Sequence, residues 1–389
     1  MLFVSPIIVA AAISLVSASA IKREDVPAVP LVRKSNVKSL RSLVQSGRSR
    51  IAQINAVDDD TLDTSAIRSG AIANENIYYA APVTIGGEIW MLQMDTGSST
   101  TWIGAQKTYT KSATGTWTGH RVRVTYGTST FSGVEYLERV SFAGLTVNAQ
   151  SIGVATYPGD AEADGFLGLG PLPAKTNVVG KTNVPTFMNN LMAQKSIQTE
   201  VFAISFRPLV GARNSEVNGE LTIGGVDPSK FKGPLTYFPR LKSGRGSLYW
   251  GIQVTKFSYG STVLSAALST GIVDTGTVIT WIPTVAFNAF VKASGAGTDN
   301  DNEVPDWAKK PTLDLGITIG STTYTLTPDQ YLVPAAQYAN LGLVPGKYYA
   351  FLQDGGSYGV NTILGQKFLE YYYSVYDKTN ARVGLAANS

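Results

Sequence analysis

Cysteine is absent from the 389 residues, and histidine occurs once, as His120. Zinc sites built from His and Cys, Cys–His nucleophile pairs and the His-Glu-x-x-His helix are thereby excluded. A Ser-His-Asp triad would have to run through His120 alone. That residue opens the alternating stretch "TGHRVRVTYGTS" and reads as a solvated strand-edge histidine. No GxxxxGK[ST] phosphate loop occurs, and "GFLGLG" from Gly165 misses the Gly-x-Gly-x-x-Gly spacing. No Asn stands in an Asn-x-Ser/Thr pattern, so N-glycosylation is not expected. Beyond the first twenty residues, no run approaches the roughly 18 apolar residues that a membrane span needs. Chemistry, if any, must therefore come from carboxylates, hydroxyls and water, and neither a metal nor a cofactor is expected.

Charge is sparse as well, at 15% of residues, against 44% hydrophobic residues and 39 glycines. That balance suits a turn-rich β protein of about two domains. Of the 32 Lys and Arg, eight lie in residues 1–57, against Glu24 and Asp25 alone, which leaves 24 against 26 acids in the remainder. The basic character thus belongs to an N-terminal arm, and the body gives no case for nucleic-acid binding. Residues 1–20, "MLFVSPIIVAAAISLVSASA", form an uncharged apolar run closing on Ala18-Ser19-Ala20 and read as a secretory signal peptide. Residues 21–70 differ from the body of the chain. They are basic and Ser-rich, with weak helical periodicity in "VKSLRSLVQSGRSRIAQI", and read as a propeptide.

The body reads as all-β. β-branched and alternating runs such as "YYAAPVTIGG", "EIWMLQM", "HRVRVTYG", "GELTIGG" and "EYYYSVYD" recur between turn residues. Helices are expected at 185–196 and 283–293, each opened by proline, with "TPDQYLVP" as loop. Within this pattern one phrase is written twice. "DTGSSTTWI" begins at Asp95 and "DTGTVITWI" at Asp274, 179 positions later, with six of nine residues matching. Each Asp ends a strand and enters a Thr-Gly turn. There it can accept hydrogen bonds from Gly97 and Ser98, or from Gly276 and Thr277. If a pseudo-twofold brought the turns together, the two acids would share a proton. One carboxylate would then activate water while the other polarised a carbonyl. The residues alone also allow two Asp-capped turns in a β repeat.

"MDTGSSTTWIG" and "GIVDTGTVITWIP" resemble the two active-site signatures of pepsin-like aspartic proteases, and the resemblance continues in order along the chain. "VTYGTSTFSG" is similar to the flap hairpin, "DGFLGLG" to the first hydrophobic-hydrophobic-Gly element, and "TILGQKFLEYYYSVYDKTNARVGLA" to the closing segment with the second. The wording resembles the secreted polyporopepsin-type enzymes of basidiomycete fungi. The resemblance implies a bilobal acid protease fold of two pseudo-twofold-related β lobes, at 71–207 and 208–389, with the cleft between them. It implies Asp95 and Asp274 as the catalytic pair, Thr96 and Thr275 locking the turns, and Ser98 and Thr277 on the outer carboxylate oxygens. Tyr126 would close over substrate beside Trp102. Gly127, Thr128, Gly97 and Gly276 would hydrogen-bond an extended peptide. It further implies a secreted (or else vacuolar) monomer that acts on polypeptides, is inhibited by pepstatin, and is made as a zymogen.

Several positions depart from the family pattern. Gln93 stands two residues before Asp95, where a bulky aliphatic is usual beside S1, so a weaker apolar preference at P1 is expected. Thr128 stands where some fungal members place an aspartate that tolerates P1 Lys, so poor cleavage after Lys is expected. Thr100, Val278 and Gln366 replace Asn, Ser and an acid, and Trp281 reads as core. No Lys-Tyr pair of the family's kind appears in the arm, leaving Arg48, Arg50 and Arg68 as candidates to block the dyad. A two-carboxylate glycosidase and a non-catalytic pepsin-fold binder are the rival readings. Neither explains two intact signatures together with a flap.

Overall fold

The computed structural model describes residues 27–35, 39–55, 77–126, 129–158, 161–172, 178–179, 183–213, 215–299 and 303–389. The signal-like segment 1–20, Arg68, Gly127 and Thr128 lie outside the described residues, and of Tyr126 only the backbone is described.

The arm contributes a strand β1 (Ala28–Ser35) and a helix α1 (Leu40–Asn55). The first half continues with β2 (Ile77–Ile85), β3 (Glu88–Asp95), β4 (Trp102–Ile103), β5 (Thr116–Tyr126), β6 (Ser129–Phe142), β7 (Leu145–Tyr157) and β8 (Gly165–Gly168). Next come α2 (Phe187–Ala193), β9 (Val201–Ser205), β10 (Ser215–Ile223), β11 (Phe231–Pro239), β12 (Gly251–Tyr259), β13 (Thr262–Ser265), β14 (Ser269–Val273), β15 (Thr280–Ile282) and α3 (Thr284–Ser294). The fold is predominantly β and bilobal. Among the described residues, one thirteen-stranded sheet holds β1 to β11 together with the closing strands Tyr372–Asp377 and Arg382–Asn388. An eight-stranded sheet holds β12 to β15 with Leu315–Ile319, Thr322–Leu326, Leu352–Asp354 and Val360–Leu364. Gly297–Thr298, Pro305–Trp307 and Tyr348–Tyr349 form a small third sheet.

The repeated phrase becomes a repeated piece of sheet. β3 runs parallel to β8 and places Asp95 beside Gly168, while β4 returns antiparallel with Trp102 beside Phe166. In the second half β14 runs parallel to Val360–Leu364, pairing Val273 with Leu364, and β15 returns with Trp281 beside Ile363. β8 and Val360–Leu364 are buried throughout. Their mostly apolar lettering, Gly-Phe-Leu-Gly and Val-Asn-Thr-Ile-Leu with one polar pair, suits central strands covered on both faces.

The arm is more ordered than its lettering indicates. β1 inserts between β10 and β2 and buries Leu31 and Arg33. Arg33 stands 3.2 Å from Glu370, which also holds Lys367 at 3.0 Å, so the inward-facing charges are mutually compensated. α1 buries Leu40, Leu43, Val44, Gly47, Arg50 and Ile54 along one face. That face lies on Val278, Ile279, Trp281, Tyr338, Leu341, Phe351 and Ile363 of the second half.

Helix boundaries differ from expectation in instructive ways. α2 begins after Thr186, not at a proline, because the Thr186 side chain and Asn189 cap one another. α3 follows Pro283 and stops at the left-handed Gly295. The first part of "TPDQYLVP" is not loop: Thr327 and Gln330 form a capping box around a single turn, Pro328–Tyr331.

Candidate active site

Asp95 ends β3 and Asp274 follows β14, so two equivalent strands deliver two carboxylates to one place. Both acids are buried, at 1% and 0% exposure. The turns after them interlock. The N–H of Thr96 donates to Thr275 Oγ1 and the N–H of Thr275 to Thr96 Oγ1, both at 3.0 Å. Each hydroxyl passes its own proton across to the opposite strand, Thr96 to Val273 O at 3.2 Å and Thr275 to Met94 O at 2.7 Å. Two β halves are thus pinned at their Asp-Thr-Gly turns by reciprocal bonds.

Each carboxylate is held in the same way. The Gly97 N–H donates to Asp95 Oδ1 and the Gly276 N–H to Asp274 Oδ1, both at 2.9 Å. Ser98 Oγ donates to Asp95 Oδ2, and Thr277 Oγ1 to Asp274 Oδ2 at 2.7 Å. The glycines are dictated by closeness. A Cβ on Gly97 would stand 2.5 Å from Asp274 Oδ1, and one on Gly276 would stand 2.5 Å from Asp95 Oδ1. Only a residue without a side chain lets each acid lie over the other turn.

The site is not open. Arg50 of α1 reaches between the acids, with Nη2 3.2 Å from Asp95 Oδ1 and Nε 3.3 Å from Asp274 Oδ2. Burial pushes the Asp95 carboxyl above the ordinary carboxylate range. Asp274 adds to that rise, while Arg50, Ser98 and the Gly97 N–H oppose it. α1 is secured around this contact. Arg41 and Arg48 both pair with Glu303, and the Asn55 side chain bonds both the carbonyl and the N–H of Val360 at 2.8 Å. Of the two basic candidates among the described residues, Arg50 is at the acids, whereas Arg48 is bound at the surface.

Other expected site residues are placed less directly. Gln93 is buried in β3 between Ala80 and Phe166. Trp102 stacks on Phe131 at 4.3 Å and on Phe166 at 5.3 Å, a packing not expected from the sequence. β5 and β6 form the hairpin read as the flap, paired up to Tyr126 opposite Ser129. Trp281 is fully buried and lies beneath α1.

Sequence reasoning missed a floor beneath the turns. Trp250 Nε1 donates to Leu169 O at 2.8 Å, and its ring meets Phe202 and Tyr376 edge-on. Burial raises the Tyr376 phenol, the charge of Asp274 raises it further, and Ser374 and Thr96 act against it. Alternation in "EYYYSVYD" marks a strand, but no local signal says that its last tyrosine underlies a turn 280 positions earlier.

Comparison with known proteins agrees with this geometry. Residues 78–388 match the family "Eukaryotic aspartyl protease". The chain is 39% identical to polyporopepsin of Irpex lacteus over 81% of its length and 96% of the relative. It is 30% identical to cathepsin E of Mus musculus, covering 92% and 93% of the two chains. The crystal structure of an aspartic proteinase from Irpex lacteus superposes with a TM-score of 0.77 at 34% identity, over 94% of this chain and 98% of that one. Two interlocked Asp-Thr-Gly turns in a bilobal β fold, with relatives of this kind along nearly the whole length, make the chain a member of the pepsin-like eukaryotic aspartyl proteases and an aspartic endopeptidase.

Proposed function

We propose that the chain is a secreted zymogen whose mature form hydrolyses polypeptides in acid through Asp95 and Asp274. The observation that carries this reading is the shared environment of the two acids, each wrapped by a Gly N–H and a hydroxyl and buried against the other. Two buried carboxylates this close favour a state with one proton between them. The ionised acid takes a proton from a bound water as its oxygen attacks the scissile carbonyl. The protonated acid donates to the carbonyl oxygen, giving a tetrahedral diol. Collapse of the diol breaks the C–N bond: the first acid gives its proton to the leaving amine, while a diol hydroxyl gives its proton back to the second acid as the C=O re-forms. The dyad is then restored with one proton. No acyl-enzyme forms. Thr96 and Thr275 keep the acids in register, the flap residues Tyr126, Gly127 and Thr128 would bind the substrate, and Trp102 would support them from its stack with Phe131 and Phe166.

In the uncleaved chain Arg50 takes the place that water and substrate need. Acidification neutralises the carboxylates that hold α1 and β1, so residues 21–70 come away and the lobes at 71–207 and 208–389 remain. The apolar leader at 1–20 supports export. Casein hydrolysis by the purified full chain at acid pH, with and without pepstatin, tests this reading. Pepstatin-sensitive hydrolysis after loss of the arm is expected. Full activity at neutral pH by a chain that keeps residues 40–55 would overturn it.

A further inference from the structure

Gln366 is fully buried and opens the single helical turn Gln366–Leu369, directly after the strand Val360–Leu364. Its backbone N–H donates to Thr277 O at 2.7 Å, and the next N–H, of Lys367, donates to Val278 O at 3.0 Å. Its side-chain Nε2 donates to Thr275 O at 2.9 Å. Three carbonyls of the second catalytic turn therefore end on two consecutive residues.

The first turn is held differently. Leu169 N–H meets Asp95 O at 2.8 Å and Gly170 N–H meets Ser98 O at 2.7 Å. Gly170 thus stands to Ser98 as Gln366 stands to Thr277, with Ser98 and Thr277 each three residues past a catalytic Asp. Glycine has no amide side chain to offer, so the side-chain bond to a turn carbonyl belongs to the second turn.

The Thr275 carbonyl and the Gly276 N–H are the two ends of one trans peptide and point in opposite directions. A donor that fixes the carbonyl oxygen therefore also fixes where the N–H aims. That N–H is the one bonded to Asp274 Oδ1 at 2.9 Å. We propose that Gln366 is a positioning residue for hydrolysis: by holding Thr275 O it orients the Gly276 N–H onto Asp274 and makes the two halves of the dyad unequal. The proposal rests on the reading of Asp95 and Asp274 as the reacting acids.

The test compares activated wild type, Gln366→Leu, Gln366→Glu and Asp274→Asn on one chromogenic peptide across pH. Leu keeps the volume but has no donor. Its kcat should fall about tenfold at every pH, with KM within about twofold. Glu can donate only while protonated. It should match wild-type kcat at the acid end and then lose activity earlier on the alkaline side, by about one pH unit, as the new carboxyl ionises. A purely structural role would lower Tm in both variants and leave kcat and the pH profile unchanged, which overturns the proposal. Should Gln366→Leu not fold, a Gln366→Glu profile equal to wild type overturns it by itself. An active Asp274→Asn overturns the dyad reading and this proposal together, whereas an inactive one leaves the Gln366 variants to decide.

Discussion

Gly47 of α1 lies so close to the indole of Trp281 that a Cβ built on it would stand 2.2 Å from Trp281 Cζ2. Gly47 is three residues, about one helical turn, before Arg50. The closeness of helix to ring thus sets how far the guanidinium reaches between the acids. Gly→Ala in a helix interior ordinarily stabilises by about 1 kcal/mol. Here the opposite sign is expected. Gly47→Ala should lift α1, raise the residual activity of the uncleaved chain and speed its processing. Processing slower than wild type would show that the ring contact does not place Arg50.

Arg50→Met tests the block itself. Asp95 keeps its proton to higher pH than an ordinary carboxylate because it is buried beside Asp274, with Arg50 acting against the shift. At Asp95 the folded uncleaved chain holds more proton than the unfolded one in the window above the ordinary carboxylate value, so this group's contribution to stability falls as pH rises through it. Without Arg50 the Asp95 value rises further and the fall extends to higher pH. Melting curves of the uncleaved chain should show Arg50→Met close to wild type in acid and clearly lower near neutrality. Removing one partner of a buried pair costs about 3–5 kcal/mol. Parallel curves at all pH values would contradict the pairing.

Glu303 holds two arginines of α1, Arg41 and Arg48. The pairs are partly exposed, so each contributes at most about 1 kcal/mol. Glu303→Gln should move the onset of processing to higher pH, with mature activity unchanged. Onset at the wild-type pH would assign acid release to other carboxylates.

How far the site was legible depends on where its information lies. The meeting of the two acid turns could be read because duplication wrote the same turn twice, and the reciprocal Thr96–Thr275 bonds follow from that symmetry. Arg50 could not be separated from Arg48 and Arg68, because periodicity gives a helix but not which side of it faces the acids. That side is set by Leu40, Leu43, Val44 and Ile54 docking on the second half. β1 went unread because its buried position 33 is an arginine, tolerable only through Glu370, 337 positions away. The partner of Gln366 is 91 positions distant, and nothing local in "ILGQ" points to Thr275.

Glu138 offers a check on the first lobe away from the cleft. Burial works against its charge, but Ser112, Thr114, Tyr109 and the Arg139 N–H outweigh it and hold the carboxyl below the ordinary value. A depressed carboxylate stabilises the fold above the unfolded pKa, and the effect is lost as pH falls through the folded one. Glu138→Gln should therefore lower Tm near pH 6 and converge on wild type in acid. A deficit that does not change with pH would mean that packing, not charge, is what the 109–115 loop requires.

The most direct measurement is casein hydrolysis in acid by Asp95→Asn and Asp274→Asn, each freed of residues 21–70 by an added protease and checked for an unchanged melting profile. A shared dyad predicts that each single change lowers kcat by at least about a thousandfold, and that the double variant is scarcely worse than either, because the two acids act as one unit. Pepstatin-sensitive activity surviving in either variant at more than about a tenth of wild type would contradict it.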